Sequence, residues 1–373
     1  MSFTLEADLN NEAANDNDVD QNSDHGDRVN VAWQLERQRR KVQHAQKVGR
    51  AISTLDVCYQ DEHVLVVNKP GGVLTVPGVR QHAGSLLDAV HAASVDTDGL
   101  ALATHRVVHR LDMDTSGLVL FGRSLEVTKR LQALFRQGRH DDQQEQAGNV
   151  LCKRYRAVVA GHWPAQVPCG MINLSLQRDI EHAPFMRVST CSYDQRARRH
   201  LQALHDAGKQ KHWVYQAAKP SQTRFTVVRR GWMKTNTAPA TASLSSSCDN
   251  LDALPYTVMD LEPITGRTHQ LRVHCAAVGF PIVGDPTYGW HGEAAPLGGL
   301  LSYPRTVEST PISMLQAWND VHPPNVAPLC LHAAFLEVPH PCDENKMISC
   351  SAPAPFDALF EPCQNKNDEK LNI

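Results

Sequence analysis

From Val64 onward the chain alternates short apolar runs with turn signals. Val64 to Val67 reads as a buried strand, because four apolar residues follow one another and Pro70, Gly71 and Gly72 stop the run. Strands are likewise expected at Gly117 to Arg123, Lys153 to Trp163, Thr223 to Arg230, Tyr256 to Pro263 and Leu331 to Val338. Ser85 to Ala93 has helical spacing and an N-cap serine, and Leu125 to Phe135 keeps the same period. A further helix is expected over His269 to Val278, with Thr268 as its cap and Gly279 and Pro281 closing it. The strands do not alternate strictly with helices, so the expected class is α+β: a large, mixed, mostly antiparallel sheet flanked by helices.

Polarity divides the rest of the chain. Residues 1–30 are rich in Asn and Asp with few large apolar side chains, and are expected to be a disordered acidic tail. Residues 31–54 read as a basic helical arm, in which Arg37, Arg39, Arg40, Lys41, Lys47 and Arg50 face a single Glu36. The main folded domain is expected over 55–361, with polar surface insertions near 138–149, 196–215, 235–250 and 290–328, followed by a tail over 362–373.

Composition narrows the function classes. The 373 residues carry no apolar run long enough to cross a bilayer, so no membrane partner is expected. The first residues lack a secretory pattern, and the ten cysteines contain no C-x-x-C pair. A cytoplasmic protein with reduced thiols is the expectation. The net charge of −3 conceals an asymmetry: residues 1–30 hold eight acids and one base, leaving 36 bases against 32 acids in the body, a net of +4. With no sustained heptad, a monomer is expected.

The densest chemistry lies in "HRLDMDTSG", His109 to Gly117. Asp112 follows an arginine and precedes a Thr115-Ser116-Gly117 turn whose hydroxyls could bond the local backbone and fix the loop. A carboxylate aimed in that way suits a nucleophile or an electrostatic stabiliser. Asp114 suggests a two-carboxylate glycosidase, but side chains two residues apart diverge and no second acid is signposted. His105 and His109 have the spacing of helical zinc ligands, yet the glutamate of that motif is replaced by Arg106 and no third ligand is marked, so no metal is expected. Far downstream, Leu271, Cys275 and Val278 share one face of the expected helix, leaving Arg272 pointing elsewhere.

Together, "VVNKPGGVLTVPG", "HRLDMDTSG", "KRYRAVVAG", "AAKPSQTRFTVV", "ITGRTHQLRVHCAAVGFPIVGDPTYG", "LCLHAAFLEVPHP" and "MISCSAP" occur in an order that resembles the RluA family of RNA pseudouridine synthases, from about Asp61 to Ala354. The branch resembled is the one without an S4-like RNA-binding domain. The resemblance implies a pseudouridine synthase-like fold with an active-site cleft across the sheet. It also implies isomerisation of uridine in structured RNA, rRNA or tRNA, without metal or cofactor. By position, Asp112 matches the essential aspartate, which attacks the ribose or stabilises its cationic character. Tyr155 matches the tyrosine lying against the uracil, and Arg272 the arginine paired with the aspartate. Arg110 matches the arginine that enters the RNA stack vacated by the target base, while His109 and Thr115 shape the loop. The alternative is an RNA-binding or RNA-folding protein that keeps the fold with little activity.

Overall fold

A computed structural model describes residues 3–5, 52, 54–78, 84–93, 106–137, 151–208, 215–234, 253–290, 292–300, 309–324 and 326–360. Its frame is an 11-stranded sheet. The strands are β1 (Phe3–Leu5), β2 (Val57–Gln60), β3 (Val64–Lys69), β4 (Arg106–Val107), β5 (Ser116–Gly122), β6 (Cys152–Ala160), β7 (Cys169–Asn173), β10 (Gln222–Lys234), β11 (Ala253–Pro263), β12 (Leu331–Pro339) and β13 (Met347–Ser351). Between β7 and β10 in the chain, β8 (Leu176–Arg178) and β9 (Met186–Val188) form a separate hairpin. The main path runs β1-β7-β10-β11-β6-β12-β5-β3-β2, with β13 paired to β12 and β4 to β5. The β1–β7 and β12–β5 pairs are parallel and the others antiparallel, as the non-alternating pattern of elements predicts.

Strands β3 and β5 read as near-continuous apolar runs because both faces of this part of the sheet are covered. Val64, Val66, Leu118 and Leu120 point to one side, where helix α2 (Leu125–Gln137) lays down Val127, Leu131 and Phe135 at four-residue spacing. Leu65, Val67, Val119 and Phe121 point to the other, against Leu86 and Val90 of helix α1 (Leu86–Ala92). Ser85 caps α1 as expected: its hydroxyl accepts from the Asp88 N–H, and the Asp88 carboxylate accepts from the Ser85 N–H in return.

Four expectations are corrected. Phe3–Leu5, within the supposed disordered tail, pair in parallel with β7, the β-prone segment meeting an otherwise open sheet edge. Part of the 196–215 insertion is helix α3 (Cys191–Asp206), which buries Tyr193, Ala197 and Leu201 at four-residue spacing. The 290–328 stretch contributes to the core: Ala294, Leu315 and Trp318 are buried there, the last two on helix α5 (Ile312–Val321). Helix α4 (Gln270–Ala277) is not amphipathic, since every one of its residues is buried. The 138–149 and 235–250 insertions, the basic arm up to residue 51, His105 and the 362–373 tail lie outside the described residues.

Candidate active site

Sheet register brings the sequence-distant motifs together. Tyr155 on β6 lies opposite Leu261 on one neighbour and Ala333 on the other, and Ala333 in turn lies opposite Gly117 on β5. The loop carrying Asp112 enters β5 just before that point, and β11 leaves the sheet just after Leu261 toward α4. Gly117 is required there: its φ is +115°, and a Cβ would stand 2.4 Å from the Ala333 carbonyl oxygen.

The aspartate loop is held from the side by the "NKPGG" segment. Lys69, fully buried, donates from Nζ to the carbonyls of Pro70 (3.0 Å), Val73 (2.8 Å) and Met113 (3.0 Å). Burial pushes its amine down to about 7 while Asp114 and Asp112 oppose the shift, and three acceptors for three N–H groups favour the ammonium form. Thr75 completes the clamp, its hydroxyl donating to the Leu111 carbonyl at 2.8 Å and accepting from the Leu111 N–H at 3.2 Å. Neither residue was singled out by sequence, because backbone carbonyls as partners leave no trace in residue types.

Asp112 faces a cleft of about 890 Å³, its side chain 32% exposed. An Arg272 Nη1 lies 3.6 Å from Oδ2, and His269 Nε2 lies 3.7 Å from Oδ1. The expected Asp112–Arg272 pairing is therefore present, but as a single long contact. The two-point partner of Arg272 is Asp285, which accepts from Nε at 2.8 Å and from Nη2 at 2.6 Å. Burial alone would raise the Asp285 carboxyl; the Arg272 charge and hydrogen bonds, with the N–H groups of Tyr288 and Thr287, hold it below the usual carboxylate range. Asp285 carried a legible signal: an arginine inside so apolar a helix needs a buried acid.

The start of α4 also departs from expectation. Thr268 does not cap it; the N-cap is His269, in the left-handed conformation with no capping side chain. Gln270 anchors the turn instead, accepting from Thr265 Oγ1 (2.7 Å) and the Arg267 N–H (3.1 Å), and donating to the Gln222 carbonyl (2.8 Å) on β10.

The other expected residues divide by environment. Tyr155 is half-buried on the cleft wall, and burial, reinforced by Asp112, raises its phenol so that it stays protonated at neutral pH. Arg110 is exposed on the cleft rim. His109 stacks on Phe135 with ring centroids 4.9 Å apart and accepts from the Leu120 N–H through Nε2. Burial and Lys153 push it down to about 3, a neutral packing group rather than an acid or base. The expected local hydroxyl bonds do not form: Ser116 instead reaches His332 on β12 at 2.8 Å, and the buried Thr115 Oγ1, on the cleft wall, has no hydrogen-bond partner.

Among the described lining residues Asp112 is the only carboxylate, set among Arg110, Lys153, Arg267 and Arg272. A single acid rules against a two-carboxylate hydrolase, and the surrounding cations fit a polyanion. Outside the cleft, the α3 cations Arg196 and Arg198 are paired with Glu181 (3.8 Å) and Asp194 (2.8 Å).

This sheet, with one aspartate at the centre of a basic cleft, is the architecture of pseudouridine synthases. The human RNA pseudouridylate synthase domain containing 1 shares it, with a TM-score of 0.52 at 22% identity over 84% of this chain and 91% of that one. The family model for RNA pseudouridylate synthase matches residues 63–277. The dual-specificity RNA pseudouridine synthase RluA of Vibrio vulnificus (strain CMCP6) is 32% identical over 64% of this chain and 70% of its own length. RluA of Escherichia coli (strain K12) is 29% identical over 81% and 94%. The ribosomal large subunit pseudouridine synthase D of Pseudomonas aeruginosa is 29% identical over 82% and 70%. The chain belongs to the RluA family of RNA pseudouridine synthases, enzymes that isomerise uridine in RNA.

Proposed function

We propose that this enzyme converts specific uridines of large-subunit rRNA, tRNA or both, a substrate range suggested by the names of its relatives. The observation that carries the reading is the position of Asp112, the one carboxylate among the described lining residues, set among cations and open to a cleft wide enough for an extruded nucleotide. In the reaction the bond from ribose C1′ to N1 breaks, the uracil turns, C1′ bonds to C5, the C5 proton leaves and N1 gains one. Asp112 attacks C1′ or stabilises its positive charge. Tyr155 lies against the uracil, Arg272 steadies the aspartate, and Arg110 occupies the vacated place in the RNA stack, where a planar cation both stacks and hydrogen-bonds. His109 and Thr115 shape the loop, Thr115 with a buried hydroxyl that has no hydrogen-bond partner. No metal or cofactor takes part, and the enzyme acts as a cytoplasmic monomer.

Tritium release from carbon-5-labelled rRNA and tRNA tests the reading. The wild-type chain should release tritium and form pseudouridine, and Asp112→Asn should form none. An RNA-folding protein of the same fold would bind these RNAs and leave every uridine unchanged.

A further inference from the structure

The His269 imidazole sits between two polar groups. Its Nδ1 is 2.8 Å from the Tyr288 hydroxyl, and its Nε2 is 3.7 Å from Asp112 Oδ1. The Tyr288 hydroxyl already accepts the Met186 N–H at 3.0 Å. With that N–H accepted, the Tyr288 proton can go to His269 Nδ1, and in that tautomer the imidazole proton lies on Nε2, facing the aspartate. Burial lowers the imidazole further than Asp112 raises it, consistent with a neutral ring holding one proton.

The backbone is shaped for this placement. His269 has φ 54° and ψ 18°, a left-handed conformation uncommon outside Gly that His, like Asn and Asp, adopts more readily than other residues. It places the ring at the mouth of α4 and one turn ahead of Arg272, so that imidazole and guanidinium address different oxygens of one carboxylate. The Tyr288 ring stands edge to face with His269 at 5.5 Å and under the Arg272 guanidinium at 5.3 Å. Asp285 fixes that same segment, taking the Tyr288 N–H at 2.9 Å.

We propose that His269 is a positioning residue for Asp112: held by Tyr288, its Nε2–H faces one carboxylate oxygen at 3.7 Å while Arg272 faces the other at 3.6 Å, and together they set the direction of the carboxylate. The proposal rests on Asp112 being the residue that acts on the ribose. A carboxylate flanked at both oxygens is restricted in the directions it takes, and a misplacement of about 1 Å at such a group costs about 10²-fold in rate.

The test is single-turnover conversion of saturating carbon-5-tritiated rRNA and tRNA, with RNA affinity measured separately. His269→Asn accepts the left-handed backbone but is too short to reach Asp112. It should lower the conversion rate about 10²-fold with an RNA Kd within about twofold of wild type, at an unchanged melting temperature. His269→Gln, whose amide N–H reaches the ε position, should recover part of the loss. Tyr288→Phe should slow the same step, and the two losses should be less than additive when combined. Wild-type conversion by His269→Asn, or a loss wholly in RNA affinity, overturns the proposal. An inactive wild-type chain would instead overturn the proposed function. The nitrogen-15 spectrum of His269 decides the proposal separately: the Nε2-protonated tautomer is expected, and the Nδ1-protonated one refutes it.

Discussion

Arg272 gives its two-point hydrogen bond to Asp285, at 2.8 and 2.6 Å, and meets Asp112 only at 3.6 Å. The arrangement separates two tasks. Asp285, 1% exposed, keeps the buried guanidinium in place, while Asp112, 32% exposed, stays available to the cleft. A single acid doing both would be tied down by its own partner.

Removing either acid should therefore have opposite signatures. Asp285→Asn leaves a buried cation short of a counter-charge, a loss on the order of 3–5 kcal/mol, so its urea midpoint should fall well below wild type. Asp112→Asn should keep its unfolding free energy within about 1 kcal/mol of wild type, since a long, half-open ion pair contributes little, and lose all conversion. Equal destabilisation by the two substitutions would refute this division.

Thr115→Val tests the unpartnered hydroxyl. The swap is close in shape and removes a buried polar atom that makes no hydrogen bond, so melting temperature should hold or rise. If the hydroxyl serves the bound nucleotide, conversion should drop with no loss of stability. A large fall in melting temperature would mean that the hydroxyl is bonded in the free enzyme.

The cleft cations predict a division between affinity and turnover. Arg267→Ala should weaken RNA binding for every sequence and flatten the plot of log K against log salt by about 0.7–0.9. Arg110→Ala should mainly slow conversion, and Arg110→Lys should not restore it, because an ammonium cannot stack as a planar guanidinium does. A full rescue by lysine would leave Arg110 as a phosphate contact only.

Acid stability follows from three neutral histidines, His274 and His332 buried and His109 half-buried. Burial pushes His109 down to about 3, and His274 and His332 to about 4. Below pH 6.5 the unfolded chain protonates at these positions and the folded chain does not. Stability should therefore fall as pH drops from 6.5 toward 4, by up to about 1.4 kcal/mol per pH unit for each histidine. Urea midpoints measured from pH 7 to 4.5 check this, and a flat profile would show that the rings are charged in the fold.

Local pattern sufficed for the elements nearest to self-contained. The Ser85 cap, the α2 face and the stop at Pro70 each depend on residues within a few positions of one another, where period and capping chemistry act directly. Pattern failed where burial is supplied from all sides. Helix α4 looked one-faced, yet neighbouring elements cover it entirely, and the 290–328 stretch looked like loop although Trp318 and Leu315 fill the core.

The same boundary runs through the site. The sequence by itself determined that Asp112 sits in a polar loop before a strand, and which motifs, in which order, accompany it. It could not show that Asp285 rather than Asp112 anchors Arg272, that Lys69 holds the loop through backbone carbonyls, or that His269 is turned toward the aspartate. Those facts belong to the sheet register and to a left-handed residue at the start of a buried helix. Hydrogen bonds and charge pairs depend on distance in space, and chain separation of 13 to 160 residues carries no such distance until the strands pair.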